Sequence, residues 1–237
     1  MNKILMTTKK KTEITNQCEF CKRSFIREST LLTHLCESKR RWNERDNQVN
    51  RFAHGAFKMY HQKNHPTKSK LEYIDFIYSP FYSAFIKFAS YCLANKVINI
   101  ARYIDYLVSH KVIIDSWNSD VYYTKFLIDY LKLEDAYDAV KRSIESLKIL
   151  CHEQNIQVRD AFKFLNHNKL CYSVINGQIS PWFLYNSTHG RAFIENLNQD
   201  QIKLIFDYIN PDVWGIKLYR EKDTVESIKR IIEQMDL

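Results

Sequence analysis

Residues 79–92 read SPFYSAFIKFASYC, and this stretch decides the fold class. Ser79-Pro80 is a helix-start signal, because proline is preorganised for the first turn and has no amide to lose there. Phe81, Phe85, Phe88 or Ala89, and Cys92 then recur at helical spacing, which puts them on one face. The same rhythm continues downstream. Asn99 caps a helix carrying Ile100, Tyr103 or Ile104, and Leu107. Asp120 is the expected cap for Tyr123, Phe126 or Leu127, and Tyr130 or Leu131. A long helix is predicted from about Glu134 to Glu153 and a short one over about Arg159 to His167. After Leu170 the rhythm changes. CYSVINGQISPW carries an Asn176-Gly177 turn signal between short apolar flanks, which allows a small β-hairpin. Helices resume over Ser187–Leu197, from Asn198 as cap to Ile209, from Pro211, and from Thr224 as cap through Val225, Ile228, Ile231 or Ile232, and Met235. Upstream, Asn50–Gln62 reads as a helix, with a break near His65-Pro66.

Composition supports a packed body. Hydrophobic residues make up 45% and charged residues 26%, which excludes a disordered chain. Only 4 Gly and 4 Pro exclude collagen-like tracts and a turn-rich all-β fold. No apolar run approaches the roughly 18 residues that cross a membrane. The opening MNKILMTTKKKTEITNQ lacks the apolar region of a signal peptide and reads as a basic disordered tail over 1–16. The protein is expected to be soluble and intracellular. Cys92, Cys151 and Cys171 sit among apolar neighbours and read as small core residues. Trp117, Trp182 and Trp214 read as packing residues. His110, His152, His167 and His189 show no metal spacing, and no nucleophile-base pair stands out, so an enzyme is not expected.

The informative stretch lies at the front: CEFCKRSFIRESTLLTHLCESKRRW, residues 18–42. Cys18 and Cys21 have the two-residue gap of a zinc knuckle, and twelve residues separate Cys21 from His34. Phe25 and Leu31 occupy the two apolar positions of a ββα finger. Two thiolates and an imidazole suit the tetrahedral preference of Zn2+. So short a segment cannot bury enough surface to fold alone, and metal binding would supply on the order of 10–16 kcal/mol. The fourth ligand is the difficulty. The positions where a second His belongs hold Ser38, Lys39 and Arg40. Cys36 is the obvious candidate, yet i and i+2 face nearly opposite ways on a helix. Cys36 can join only if the helix ends or tightens at about His34. His54 or His61, folded back from the next helix, are the alternatives, and the absence of a stable site is the third. The expected fold is thus mostly α: a small ββα-like zinc module over 17–41, a basic linker helix over 42–70, and a multi-helix globular body over 71–237 with one short β-hairpin allowed.

Residues 18–34 resemble the first three ligands and the core of the C2H2 zinc-finger family. The resemblance implies a helix offered to the DNA major groove. Its forward residues here would be Glu28, Ser29, Leu31, Leu32 and His34, a face poor in the usual base readers. The whole chain is also similar to an uncharacterised protein family of T4-like tailed bacteriophages. The similarity rests on Cys36 to Trp42, on Ser79 to Cys92, and on the segment ISPWFLYN over Ile179 to Asn186. It implies a phage protein in the cytoplasm of the infected bacterial host and brings no catalytic residue with it.

Charge points to a partner. The formal net charge is +8, and residues 1–70 carry 16 Lys and Arg against 6 Asp and Glu. The rest of the chain is slightly acidic, so the N-terminal third holds all the excess and favours a polyanion. Lys22, Arg23, Arg27, Lys39, Arg40, Arg41 and Arg45 are the candidate phosphate contacts, and Trp42 the candidate base-stacking residue, with packing between finger and linker helix as its other role. The expected function is a non-enzymatic, zinc-containing DNA-binding accessory protein that docks a partner through its helical body. The alternative is a protein-interaction factor of phage-host replication, transcription or packaging machinery, with the finger as docking surface.

Overall fold

The computed structural model describes residues 16–64, 71–235 and 237. The expected tail over 1–16 falls outside these residues except for Asn16, as does the expected break near His65-Pro66. The chain is mostly α, with one short antiparallel pair, β1 (Asn16–Gln17) and β2 (Ser24–Phe25), in which Asn16 opposes Phe25. Two short helices follow, α1 (Glu28–Thr33) and α2 (Glu37–Asn43). The body comprises α3 (Gln48–Asn64), α4 (Tyr73–Ile77), α5 (Tyr82–Ala94), α6 (Ile100–Ser109), α7 (Asp120–Leu133), α8 (Ala136–Gln154), α9 (Ala161–Phe164), α10 (His167–Ile175), α11 (Pro181–Asn186), α12 (Thr188–Glu195), α13 (Gln199–Ile209), α14 (Pro211–Arg220) and α15 (Lys222–Gln234). Among the described residues no helix is long and apolar enough to cross a membrane.

Local chemistry sets most boundaries. Asn99, in the left-handed region at φ 44°, accepts from the Arg102 amide and starts α6. Asn198 and Gln201 form a reciprocal capping box at the start of α13. Asn210 caps α14 ahead of Pro211. Two expected caps shift. Asp120 is the first residue of α7 behind Ser119, and its carboxylate accepts from the Tyr91 hydroxyl instead. Thr224 lies inside α15, which begins at Lys222.

The hairpin allowed at Asn176-Gly177 does not form. Residues 167–175 are helical because Asn166 caps them and Leu170, Cys171 and Val174 make a buried stripe. Gly177, at φ 74°, then turns the chain into α11. A Cβ there would come within 2.8 Å of the Ile98 and Leu127 side chains, so the turn is glycine for packing as well as for φ.

Of the stretch expected as a linker helix over 42–70, residues 65–70 lie outside the described residues, and the described part, including α3, lies within the packed structure. α3 packs along α5 and α6 and buries Ala53, Ala56 and Phe57. The core is continuous from there to the C-terminal helices. Phe57, Phe85, Phe88 and Trp117 meet edge to face in the first half, with Phe85 and Phe88 at 5.7 and 5.3 Å from Trp117. Trp182 and Trp214 meet at 5.8 Å in the second. One polar network is buried with them. The Glu134 carboxylate pairs with the Arg142 guanidinium at 2.7 Å and accepts from the Ser180 hydroxyl, while Arg142 Nε donates to the Gly177 carbonyl. That network ties the α7–α8 corner to the α10–α11 turn.

Candidate metal centre

Four side chains converge at the N-terminal module: Cys18, Cys21, His34 and Cys36, with their ligand atoms all within 4.8 Å of one another. Among the described residues this is the one group of three or more His, Cys, Asp or Glu that could hold an ion. The knuckle forms at the end of β1. The Lys22 amide donates to the Cys18 carbonyl and the Cys18 amide to the Arg23 carbonyl, each at 2.9 Å, with Lys22 in the left-handed region at φ 59°. This tight turn brings Cys21 back beside Cys18.

The spacing of His34 and Cys36 resolves in the backbone. α1 stops at Thr33, His34 is extended at φ −67° and ψ 123°, and Cys36 is extended at φ −81° and ψ 166°. Extended backbone has a period of two, so i and i+2 point the same way. The two-residue offset that would fail on a helix therefore works here. Cys36 is at once a member of the cluster and the N-cap of α2.

The distances suit a tetrahedral site. Cys18 Sγ and Cys36 Sγ lie 3.9 Å apart, and Cys21 Sγ lies 3.2 Å from His34 Nε2. A tetrahedron with metal–sulfur bonds of about 2.3 Å has sulfur–sulfur edges of about 3.8 Å. Backbone amides of Cys21 and Phe20 directed at the Cys18 sulfur hold its thiol below the usual range, which favours the thiolate a metal needs. The Phe25 ring packs on the His34 imidazole at 4.7 Å. Phe25 and Leu31 are only half-buried, and α1 and α2 contain no buried residue. The module has almost no core of its own, so an ion would carry its folding.

His54 and His61 are placed elsewhere. His54 packs against Tyr73 and Phe76, and His61 against Phe57 and Tyr60. Burial holds the His54 imidazole below its ordinary pKa. Cys92, Cys151 and Cys171 are buried, which pushes their thiols up, Cys92 to about 12 and Cys171 to about 11.

No family model, curated protein or solved structure matches the chain.

The candidate phosphate contacts divide into two groups. Lys22, Arg23 and Arg27 are exposed, and no ion pair engages them among the described residues. The cations after the finger are committed to the protein itself. Arg40 bridges Glu37 at 2.8 Å and Glu44 at 2.7 Å. Arg41 pairs with Glu37, donates to the Ile77 carbonyl at 2.8 Å and lies 4.2 Å over the Tyr82 ring. Lys39 Nζ donates to the His34 carbonyl. Arg45 stacks on Trp42 at 5.0 Å and lies 3.8 Å from Asp46. Trp42 is half-buried, with the Phe20 and Tyr73 rings each at 6.0 Å.

Three further residues matter that the sequence reading passed over. Glu37 collects Arg40 and Arg41, and their hydrogen bonds pull its carboxyl down to about 2. Its i+3 and i+4 spacing to two arginines was the available signal. Tyr73 donates to the Arg41 carbonyl at 3.0 Å, and Tyr78 to the Phe20 carbonyl at 2.7 Å. Long-range partners of this kind leave no local pattern.

Proposed function

We propose that this chain is a zinc-containing, non-enzymatic nucleic-acid-binding accessory protein. Its N-terminal third grips DNA phosphates and its helical body docks a partner. One observation carries the reading: Lys22, Arg23 and Arg27 stand exposed on the metal-cluster module with no acid partner among the described residues, within the third of the chain that holds all the excess positive charge. Three sulfurs and one imidazole form a soft donor set that suits Zn2+ over Mg2+ or Ca2+. The ion's role would be structural, since the four protein donors would fill a tetrahedral site and leave no position for substrate. Exposed lysine and arginine side chains contact phosphates without reading bases, so the binding proposed is sequence-tolerant. A place in the infected bacterial cytoplasm, beside phage or host proteins, is part of this proposal and rests only on the resemblance carried by residues 36–42, 79–92 and 179–186.

A salt titration of the full chain against labelled duplex DNA tests this reading. Micromolar or tighter binding that weakens steeply with salt is expected. No binding at about 50 mM salt would rule it out.

A second reading, in which the finger docks a protein, draws on a separate observation. Ile26 is 99% exposed, Leu32 72% and Leu35 60%, an unusual apolar display for so small a module. Under that reading DNA binding is weak, and an acidic partner covers these side chains.

A further inference from the structure

We infer that the metal centre is a latch: its occupancy fixes α2 against α4 and so couples the N-terminal module to the helical body. This rests on the reading that the cluster binds an ion. A finger hung on a flexible linker would contact its neighbour only through the chain. Here two of the cluster's own parts begin the contacts with the body.

The first route runs along α2. Cys36 is both ligand and N-cap, so an ion would fix where that helix starts. Five and six residues on, Arg41 and Trp42 meet the body. Arg41 reaches the Ile77 carbonyl at the end of α4, and Tyr73 at its start returns a hydrogen bond to the Arg41 carbonyl. The second route runs through the knuckle. Phe20 lies between Cys18 and Cys21, its carbonyl accepts from the Tyr78 hydroxyl, and its ring packs on Trp42. Both routes end on the same small surface.

Holding that surface together needs the ion. The module's only buried side chain is that of Cys18, and apolar packing alone cannot keep the knuckle closed. Without metal, the Phe20 carbonyl is no longer held where Tyr78 can reach it, and Cys36 no longer anchors α2. Linkage makes the effect mutual: whatever factor metal adds to docking, docking adds to metal affinity. A body contact more than forty residues from the nearest ligand in sequence should therefore tune how tightly Zn2+ is held.

The tryptophans supply the test. Trp117, Trp182 and Trp214 are 0%, 0% and 1% exposed, whereas Trp42 is half-buried at the junction. Full-length protein is loaded with Zn2+, the bound ion is counted, and it is then stripped with a chelator while emission is followed. A red shift on stripping is expected, and Trp42→Phe should abolish it. Zn2+ affinity is measured in parallel by chelator competition. Tyr78→Phe, a mild change at a half-exposed side chain, should weaken it by about two- to tenfold, the ordinary worth of one hydrogen bond. A purely local role for Tyr78 would leave that affinity unmoved. One bound ion, no change in emission on stripping and an unaltered affinity in Tyr78→Phe would overturn the latch while leaving the metal site intact. Failure of the wild-type chain to bind Zn2+ would overturn both.

Discussion

The division of the basic residues makes a quantitative prediction. Sequence alone weights Arg40 and Arg41 as heavily as Lys22, Arg23 and Arg27. The structure does not. A phosphate that recruits Arg40 must compete with two carboxylates at 2.7 and 2.8 Å, and one that recruits Arg41 must break its bond to the Ile77 carbonyl. Lys22, Arg23 and Arg27 are exposed and form no such ion pair among the described residues. Each phosphate neutralised contributes about −0.9 to the slope of log K against log salt. Converting Lys22, Arg23 and Arg27 together to Gln should therefore flatten the slope by about 2.7 if all three engage. Between about 50 and 200 mM salt that difference amounts to roughly fortyfold in affinity. Arg40→Gln should change the slope by less than about half a unit. Fluorescence anisotropy on a labelled duplex reads both variants, with bound Zn2+ checked in each. A triple variant with the wild-type slope, beside an Arg40→Gln variant that loses a full unit, would refute the reasoning.

Other perturbations test the fold and its pH response. Arg142→Ala strands the Glu134 carboxylate, whose side chain is 1% exposed, and should cost about 3–5 kcal/mol, read as a Tm fall of about 10 °C by circular dichroism. Gly190→Ala sets a Cβ 2.6 Å from the Leu184 carbonyl oxygen and should destabilise by about 1–3 kcal/mol, while Gly215→Ala meets nothing within 4 Å and should stabilise by up to about 1 kcal/mol. Burial lowers the His54 pKa in the folded state, so its contribution to stability is present above the ordinary imidazole range and is lost as pH falls below it. His54→Phe should flatten that part of the stability–pH curve measured by denaturant melts. Glu37, held down to about 2, acts in a lower window: its contribution is present above the ordinary carboxylate range and disappears as pH falls towards 2. That contribution is small, because the side chain is 55% exposed and screened by solvent.

Much of the helical body could be read from the chain because caps and stripes are local. Asn99, Asn198 and Pro211 start helices where their chemistry says they should. The turn at Asn176-Gly177 misled because its signal is equally good for ending a helix. What decided between hairpin and helix was Asn166, ten residues upstream, capping the stripe of Leu170, Cys171 and Val174. The cluster was legible up to His34. Cys36 depended on the helix stopping one residue short of His34, and a boundary of that precision is not written in propensities. The fate of the arginines was less visible still. Glu37 could be seen to pair with them, but Ile77 and Tyr82, which hold Arg41, lie more than thirty residues away. Charge counted along the sequence therefore overstated how many cations are available to a ligand.

The claim that four side chains meet at one ion is tested most directly by a Co2+ titration of the full chain, followed by absorption. The account predicts one Co2+ per chain with tetrahedral d–d bands, and a thiolate charge-transfer band that weakens in Cys36→Ala and is unaltered in His54→Ala. A Cys36→Ala protein with the wild-type spectrum, or one whose spectrum changes only with His54, would contradict it.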